Sequence, residues 1–208
     1  MDNDMLRRGK PTTHAKFGEA NGILCGEALL NYAFELAIKG TRNSLTPSFC
    51  VRALGVLADK AGYNGMIGGQ LLDLQAEGRP ELTIEELVRI HDLKTSALIE
   101  ASLMIGAILA GADDDVVVRM RECGHHVGLA FQIQDDILDI VGDEAVLGKP
   151  IGSDERNDKK TYPGIVGLDK AREDVEMHTK AAASIIRNFT KQESFLEDLV
   201  TKLATRNF

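Results

Sequence analysis

Residues 127–141, VGLAFQIQDDILDIV, constrain the fold of this chain more than any other stretch. The main polar side chains there are Gln132, Asp135, Asp136 and Asp139, at offsets of 0, 3, 4 and 7, with Gln134 apart from them. That spacing is one face of an α-helix. The other faces carry Leu129, Phe131, Ile133, Ile137, Leu138, Ile140 and Val141. A helix this apolar on its remaining sides belongs inside a protein, so the aspartates are expected to point into an interior or a deep cleft. Burying even one unpaired carboxylate is costly, and a stripe of them calls for cations. Ligands that are all oxygen favour Mg²⁺ or Ca²⁺ over zinc or copper, and Mg²⁺ prefers a few carboxylates together with substrate phosphates. The alternative is a solvated acidic face. Such a face ordinarily mixes Lys, Glu and Arg among its aspartates, and none stands on this one.

The rest of the chain also reads as helical, with few strand signals. Residues 17–38 form a strongly apolar helix ended by Gly40 and Asn43, 47–62 a second opening at Pro47, and 63–76 a glycine-rich third. Gly78 and Pro80 break the chain. Thr83 with Glu86 is a capping box, so a helix starts at Ile84 and runs into a longer one through Lys94 and Ala110. Gly111 and the aspartates 113–115 turn the chain into a long helix over about 116–141, ended by Gly142. A polar loop over 142–160 is long enough to suggest a function, and residues 161–205 read as three short or kinked amphipathic helices. The expectation is one all-α domain over residues 1–208, built mostly of buried helices.

Composition narrows the function classes. A formal charge of -8 argues against a general nucleic-acid binder but not against anionic substrates, since a basic cluster can sit on an acidic protein. The three cysteines, with no CxxC pair, suggest neither a disulfide framework nor a zinc site and fit a reducing cytoplasm. Asp2, Asp4, Arg7 and Arg8 stand where a signal peptide would need an apolar run. The most apolar windows, 20–38 and 97–112, carry Glu27 with Glu35 and Glu100, so no transmembrane helix is expected.

Basic residues that a phosphate site would need are scattered along the chain. Asp2 and Asp4 precede Arg7, Arg8 and Lys10, which makes either a mixed metal and phosphate site or a solvated terminus. Lys94 and Thr95 lie mid-helix among apolar residues, where a lysine either snorkels or meets an anion. Lys149 and Lys159 frame the polar loop, where they either close over a phosphate or serve solubility. Gln70 and Asp73 share a face of the helix that Gly65, Gly68 and Gly69 weaken, so these glycines serve close helix packing or close approach of a ligand.

Taken together, these segments resemble the trans-prenyl diphosphate synthases. DDILD at 135–139, preceded by GLAFQIQ, resembles their second aspartate-rich motif, and MDNDMLRRGKPTTH resembles the end of their first with its arginine pair. GGQLLDL at 68–74, HDLKTSALI at 91–99, LGKPIGSD at 147–154 and NDKKTYP at 157–163 resemble further family motifs in the right order. The similarity is greatest to the bacterial farnesyl or geranylgeranyl diphosphate synthases. The resemblance implies the isoprenoid synthase fold, a helical bundle around a central cleft, and a homodimer. It also implies Mg²⁺-dependent joining of isopentenyl diphosphate to an allylic diphosphate. Residue by residue, it implies Asp2, Asp135, Asp136 and Asp139 at the metal, with Asp135 the main ligand of the second motif. Arg7 falls on the allylic-diphosphate arginine and Arg8 on the isopentenyl-diphosphate arginine. Lys94, Lys149 and Lys159 fall on lysines that clamp the allylic diphosphate, and Thr95 and Gln132 on neighbouring cleft residues. Gln70 and Asp73 join the substrate-binding set.

Members of the family start several helices earlier, with an isopentenyl-binding segment and the first aspartates of the first motif. The resemblance therefore implies little or no synthase activity for the 208 residues as written and an active longer parent, with apolar helix faces left exposed. Rival readings are a non-catalytic prenyl-synthase-like subunit acting through protein contacts, a terpene cyclase of the same fold, and a di-iron carboxylate enzyme. The last would need a second partner for the ExxH pair of Glu122 and His125, and the chain has no second ExxH.

Overall fold

The computed structural model describes residues 4–7, 9–42, 44, 46–141, 159–189 and 195–204. Asp2, Arg8, Lys149 and most of the polar 142–160 loop lie outside the described residues. The fold is helical, as the periodicity predicts. A small hairpin of β1 (Leu6–Arg7) and β2 (Lys10–Pro11) precedes α1 (Thr13–Phe17) and α2 (Glu19–Gly40). Then come α3 (Pro47–Ala61), α4 (Met66–Ala76) and α5 (Ile84–His91). A π-helical turn, Asp92–Ser96, carries α5 into α6 (Ala97–Leu109). The long α7 (Asp114–Val141) follows, and α8 (Tyr162–Val166), α9 (Leu168–Arg187) and α10 (Phe195–Ala204) complete the order.

Local chemistry accounts for the element boundaries. Pro47 opens α3, where its missing N–H has no helical partner to lose. Thr83 accepts from the Glu86 N–H at 3.3 Å while the Glu86 carboxylate accepts from the Thr83 N–H at 3.0 Å, closing the capping box. The helix expected over 17–38 is found as α2, which begins at Glu19 after Gly18 with φ 88° and leaves Phe17 in the short α1. The glycine-rich helix starts at Met66 rather than 63.

Helix α7 is the axis of the fold and packs between α6 and α9. Ile133, Ile137 and Ala130 of α7 join Leu82, Leu87, Ile90, Tyr162, Ala171 and Val175 in one apolar cluster. Cys123 and Val127 join Ala182, Ile186 and Val200 in a second. The expectation that most helices are buried fails for α2, which has no buried residue although it carries Ile23, Leu24, Leu29 and Tyr32. Among the described residues no helix is long and apolar enough to cross a membrane.

Candidate active site

The cleft is built where α4, the π-helical turn and α7 meet. In the π turn the Ala97 N–H donates to the Asp92 carbonyl five residues back, a span one residue longer than the hydrogen bond of an α-helix. The wider turn sits tightly between its neighbours. A Cβ on Gly69 of α4 would lie 2.2 Å from the Lys94 backbone nitrogen, and one on Gly128 of α7 would lie 2.3 Å from Ser96 Oγ. Only glycine permits both approaches. At Gly69, packing against the backbone explains the glycine.

From this turn Lys94 reaches across to α4, where its Nζ lies 2.7 Å from Asp73 Oδ2. Lys159 reaches the same oxygen at 3.4 Å and Glu77 at 3.3 Å. Two ammonium groups from positions 65 residues apart in the chain therefore share one carboxylate. On the other side of the turn, Thr95 donates to the Gln132 side-chain oxygen at 2.8 Å, and the Gln132 amide donates to Asp136 Oδ1 at 3.1 Å. The Tyr162 backbone N–H donates to Asp136 Oδ2 at 2.8 Å. Asp73, Lys94, Gln132, Asp136 and Lys159 line a cavity of about 60 Å³, room for about four waters, that also meets Lys160, Thr161 and the apolar Leu82, Leu87 and Ile90.

Electrostatics separate the carboxylates. Burial pushes the Asp136 carboxyl up to about 7, and the neighbouring Asp135 and Asp139 push the same way against the two hydrogen bonds it accepts. Burial likewise holds His91 down at about 4, so it is neutral at ordinary pH. Its Nε2 stands 3.7 Å from Asp136 Oδ2, too far for a hydrogen bond, and its Nδ1 has no hydrogen-bond partner among the described residues. Among the described residues, no three His, Cys, Asp or Glu side chains converge as a self-sufficient metal site.

Of the residues expected at the site, the structure brings together Asp73, Lys94, Thr95, Gln132, Asp136 and Lys159. Asp135 is half-buried and Asp139 buried on the same helix, outside the lining of this cavity. Gln70 is half-buried on α4 and also outside it, and Arg7 is exposed on β1. Sequence reasoning missed His91, Glu77 and Tyr162. His91 stands three positions before Lys94, the spacing of one helix face, and that spacing was available to find it. The ExxH pair forms no di-iron centre: Glu122 faces Arg119 at 3.6 Å, and His125 Nδ1 lies 3.0 Å from Asp92.

Comparison with known proteins gives a consistent answer. The polyprenyl synthetase family profile matches residues 1–203. The farnesyl diphosphate synthase of Bacillus subtilis is 41% identical over 207 residues, covering 100% of this chain and 70% of that protein. The geranylgeranyl diphosphate synthase of Cyanophora paradoxa is 40% identical over 207 residues, covering 100% of this chain and 69% of that protein. Among solved structures, an FPP/GFPP synthase from Zymomonas mobilis superimposes with a TM-score of 0.84 at 33% identity, covering 98% of this chain and 68% of that one. A geranyltransferase from Helicobacter pylori, complexed with magnesium and isoprenyl diphosphate, gives a TM-score of 0.83 at 33% identity, covering 98% and 65%. The isoprenoid synthase architecture expected from the sequence is thus the one found, and the chain belongs to the polyprenyl synthetase family.

Proposed function

We propose that this chain is a prenyltransferase site that condenses isopentenyl diphosphate with an allylic diphosphate in a Mg²⁺-dependent reaction, giving a short-chain trans-prenyl diphosphate. The observation that carries the reading is the convergence of Lys94 and Lys159 on Asp73, beside the buried aspartate stripe. Asp73 is shared by both ammonium groups, and Glu77 also meets Lys159. A diphosphate arriving at the cavity offers both lysines more negative charge than Asp73 does, and Asp73 holds them ready until then.

The donor set suits Mg²⁺. It is all oxygen, and the upward push on Asp136, chiefly from burial with Asp135 and Asp139 adding to it, is one that a nearby divalent cation would oppose. Asp135 is the main candidate ligand, with Asp139 and Asp136 in support. Asp136 already serves Tyr162 and Gln132, which fits a supporting role. Asp2 belongs to the same reading but lies outside the described residues. When bound, Mg²⁺ supplies charge neutralisation to the leaving diphosphate.

The protein's own groups supply the rest. Lys94 and Lys159 stabilise the pyrophosphate as it leaves with the C–O bonding pair, and an allylic cation remains. The isopentenyl double bond attacks that cation, a C–C bond forms, and the product loses a proton to the pyrophosphate. Leu82, Leu87 and Ile90 wall part of the cavity with groups that cannot trap a cation. Lys149, Arg7 and Arg8 extend the substrate-binding set in this reading. The exposed apolar side chains of α2 support a homodimer, in which a second copy covers them.

The test supplies isopentenyl diphosphate with dimethylallyl, geranyl or farnesyl diphosphate and Mg²⁺. The enzyme is this chain beside a form extended upstream in its own reading frame. The expected result is a longer prenyl diphosphate that disappears with EDTA, and turnover reduced about a hundredfold by Lys94→Ala or Asp135→Asn. Product formation indifferent to both EDTA and these substitutions, or none from either form, overturns the reading. Equal turnover by the two forms would refute the expectation that the chain as written has little activity.

A further inference from the structure

Helix α9 carries a buried acid that the proposed reaction does not use. Asp174 is only 5% exposed. A carboxylate so deep needs partners, and it has two: the Tyr162 hydroxyl donates to Oδ2 at 2.9 Å and Lys170 Nζ to Oδ1 at 2.5 Å. Tyr162 is itself buried, with its ring packed in the apolar cluster and stacked toward His91. Its other end is the backbone N–H that donates to Asp136. Tyr162 is therefore tied at both ends to buried carboxylates, one on α9 and one on the aspartate stripe. Three residues before it, Lys159 meets Asp73 and Glu77.

We infer that Asp174 is a positioning residue for the diphosphate site, acting through the Tyr162 hydroxyl. That bond fixes how deeply the tyrosine sits and so where residues 159–162 run. The Asp136 carboxylate and the Lys159 ammonium are set by the same segment. Apolar packing alone holds a ring without direction, whereas a hydroxyl bonded to a buried carboxylate has one geometry. Outer groups that orient a ligating or anion-binding residue typically change affinity by about tenfold or more when removed. The inference rests on the reading of this cavity as a diphosphate site.

The experiment measures the Kd of inorganic pyrophosphate in excess Mg²⁺ by calorimetry on the full 208-residue chain, with the melting temperature of each variant alongside. Tyr162→Phe keeps the ring and the backbone N–H and removes only the hydroxyl; it is expected to weaken binding about tenfold while the chain stays folded. Asp174→Leu is expected to match it. Asp174→Asn keeps an oxygen acceptor for the hydroxyl and is expected to bind within about twofold of wild type. If Tyr162→Phe and Asp174→Leu melt lower yet bind like wild type, the role is structural only and the inference falls. It falls equally if Asp174→Asn binds as weakly as Asp174→Leu. Should Asp174→Leu not fold, the comparison of Tyr162→Phe with Asp174→Asn decides alone. A wild-type chain that binds no pyrophosphate overturns this inference, while the site reading falls only if the upstream-extended form also binds none, which separates the two failures.

Discussion

Helices α7 and α2 are the two longest among the described residues, both rich in apolar residues, and they meet opposite fates. Helix α7, at 28 residues, buries Val117, Cys123, Val127, Leu129, Ile133 and Ile137, among others. Helix α2, at 22 residues, buries none, and Leu24 and Leu29 stand 61% and 64% exposed. The difference lies in what each helix has beside it. Helix α7 runs between α6 and α9, while the principal neighbour of α2 is the five-residue α1. Apolar surface stabilises a fold only where a neighbour removes it from water. Helix α7 can therefore carry the energetic cost of buried aspartates, and α2 has surface to offer a second copy.

The sharpest way to break this comparison is to truncate one side chain on each helix. Ile133 is 1% exposed, so Ile133→Ala is expected to destabilise by about 2–5 kcal/mol in urea unfolding. Leu29→Ala is expected to stay within about 0.5 kcal/mol in dilute protein. Equal costs at low concentration would show that α2 is buried within the single chain. A cost at Leu29 that grows with protein concentration would instead place a second copy on α2, and would sharpen the homodimer reading.

The next effect concerns the close approach that α7 permits. A Cβ on Gly128 meets Ser96 Oγ at 2.3 Å and Ser96 Cα at 2.5 Å, and neither helix can yield without shifting the π turn. Gly128→Ala is expected to cost about 1–3 kcal/mol and to weaken Mg²⁺–pyrophosphate binding, because the displaced turn carries Lys94 and Thr95. Unchanged melting and binding would mean that the turn is not held in this way.

What could be read from the sequence divides along the same line. The aspartate stripe, the capping box at Thr83 and the run of helices are local patterns, set by spacing within one element. The meeting of Lys94 with Asp73 spans 21 residues and that of Lys159 with Asp73 spans 86, and no local period encodes either. Their inclusion among the site residues came from motif resemblance, and their shared carboxylate appears only in the fold. The π turn was invisible because HDLKTSALI satisfies α-helical spacing equally well. The exposure of α2 was invisible because periodicity reports an apolar face and says nothing of what covers it. Gly18, between Phe17 and Glu19, did leave a local signal of a helix boundary at the start of α2.

A pH effect of intermediate size tests how tightly α7 meets α9. His126 of α7 and His178 of α9 place their Nδ1 atoms 2.8 Å apart, so one ring must accept and be neutral at that nitrogen. Burial, then the adjacent His126 and His125, hold His178 at about 4, with Asp174 and Asp92 pulling weakly the other way. The folded value lies below the unfolded one, so the unfolded chain binds the proton first as pH falls. Stability from this contact is present above about pH 6.5 and is lost as pH falls toward 4. Discounting for solvent at the half-buried ring, the loss between pH 7.5 and 5 is about 1 kcal/mol. His178→Gln is expected to flatten the melting-temperature profile by that amount; an unchanged profile would mean that the pair contributes nothing to the packing of α7 on α9.

The smallest expected effect has the opposite sign and comes from the exposed helix. Gly26 sits inside α2, and a Cβ there would meet nothing within 4 Å. In a helix interior, glycine costs more backbone entropy on folding than alanine and adds no contact. Gly26→Ala is therefore expected to stabilise the chain by about 0.5–1 kcal/mol, seen as a small rise in melting temperature. The chemistry is the same as in Gly128→Ala, and only the neighbour differs. If Gly26→Ala destabilises, another surface already lies against α2 at that position. The face would then be closely packed, as α7 is at Gly128, and the contrast between the two helices would collapse into a single packing rule.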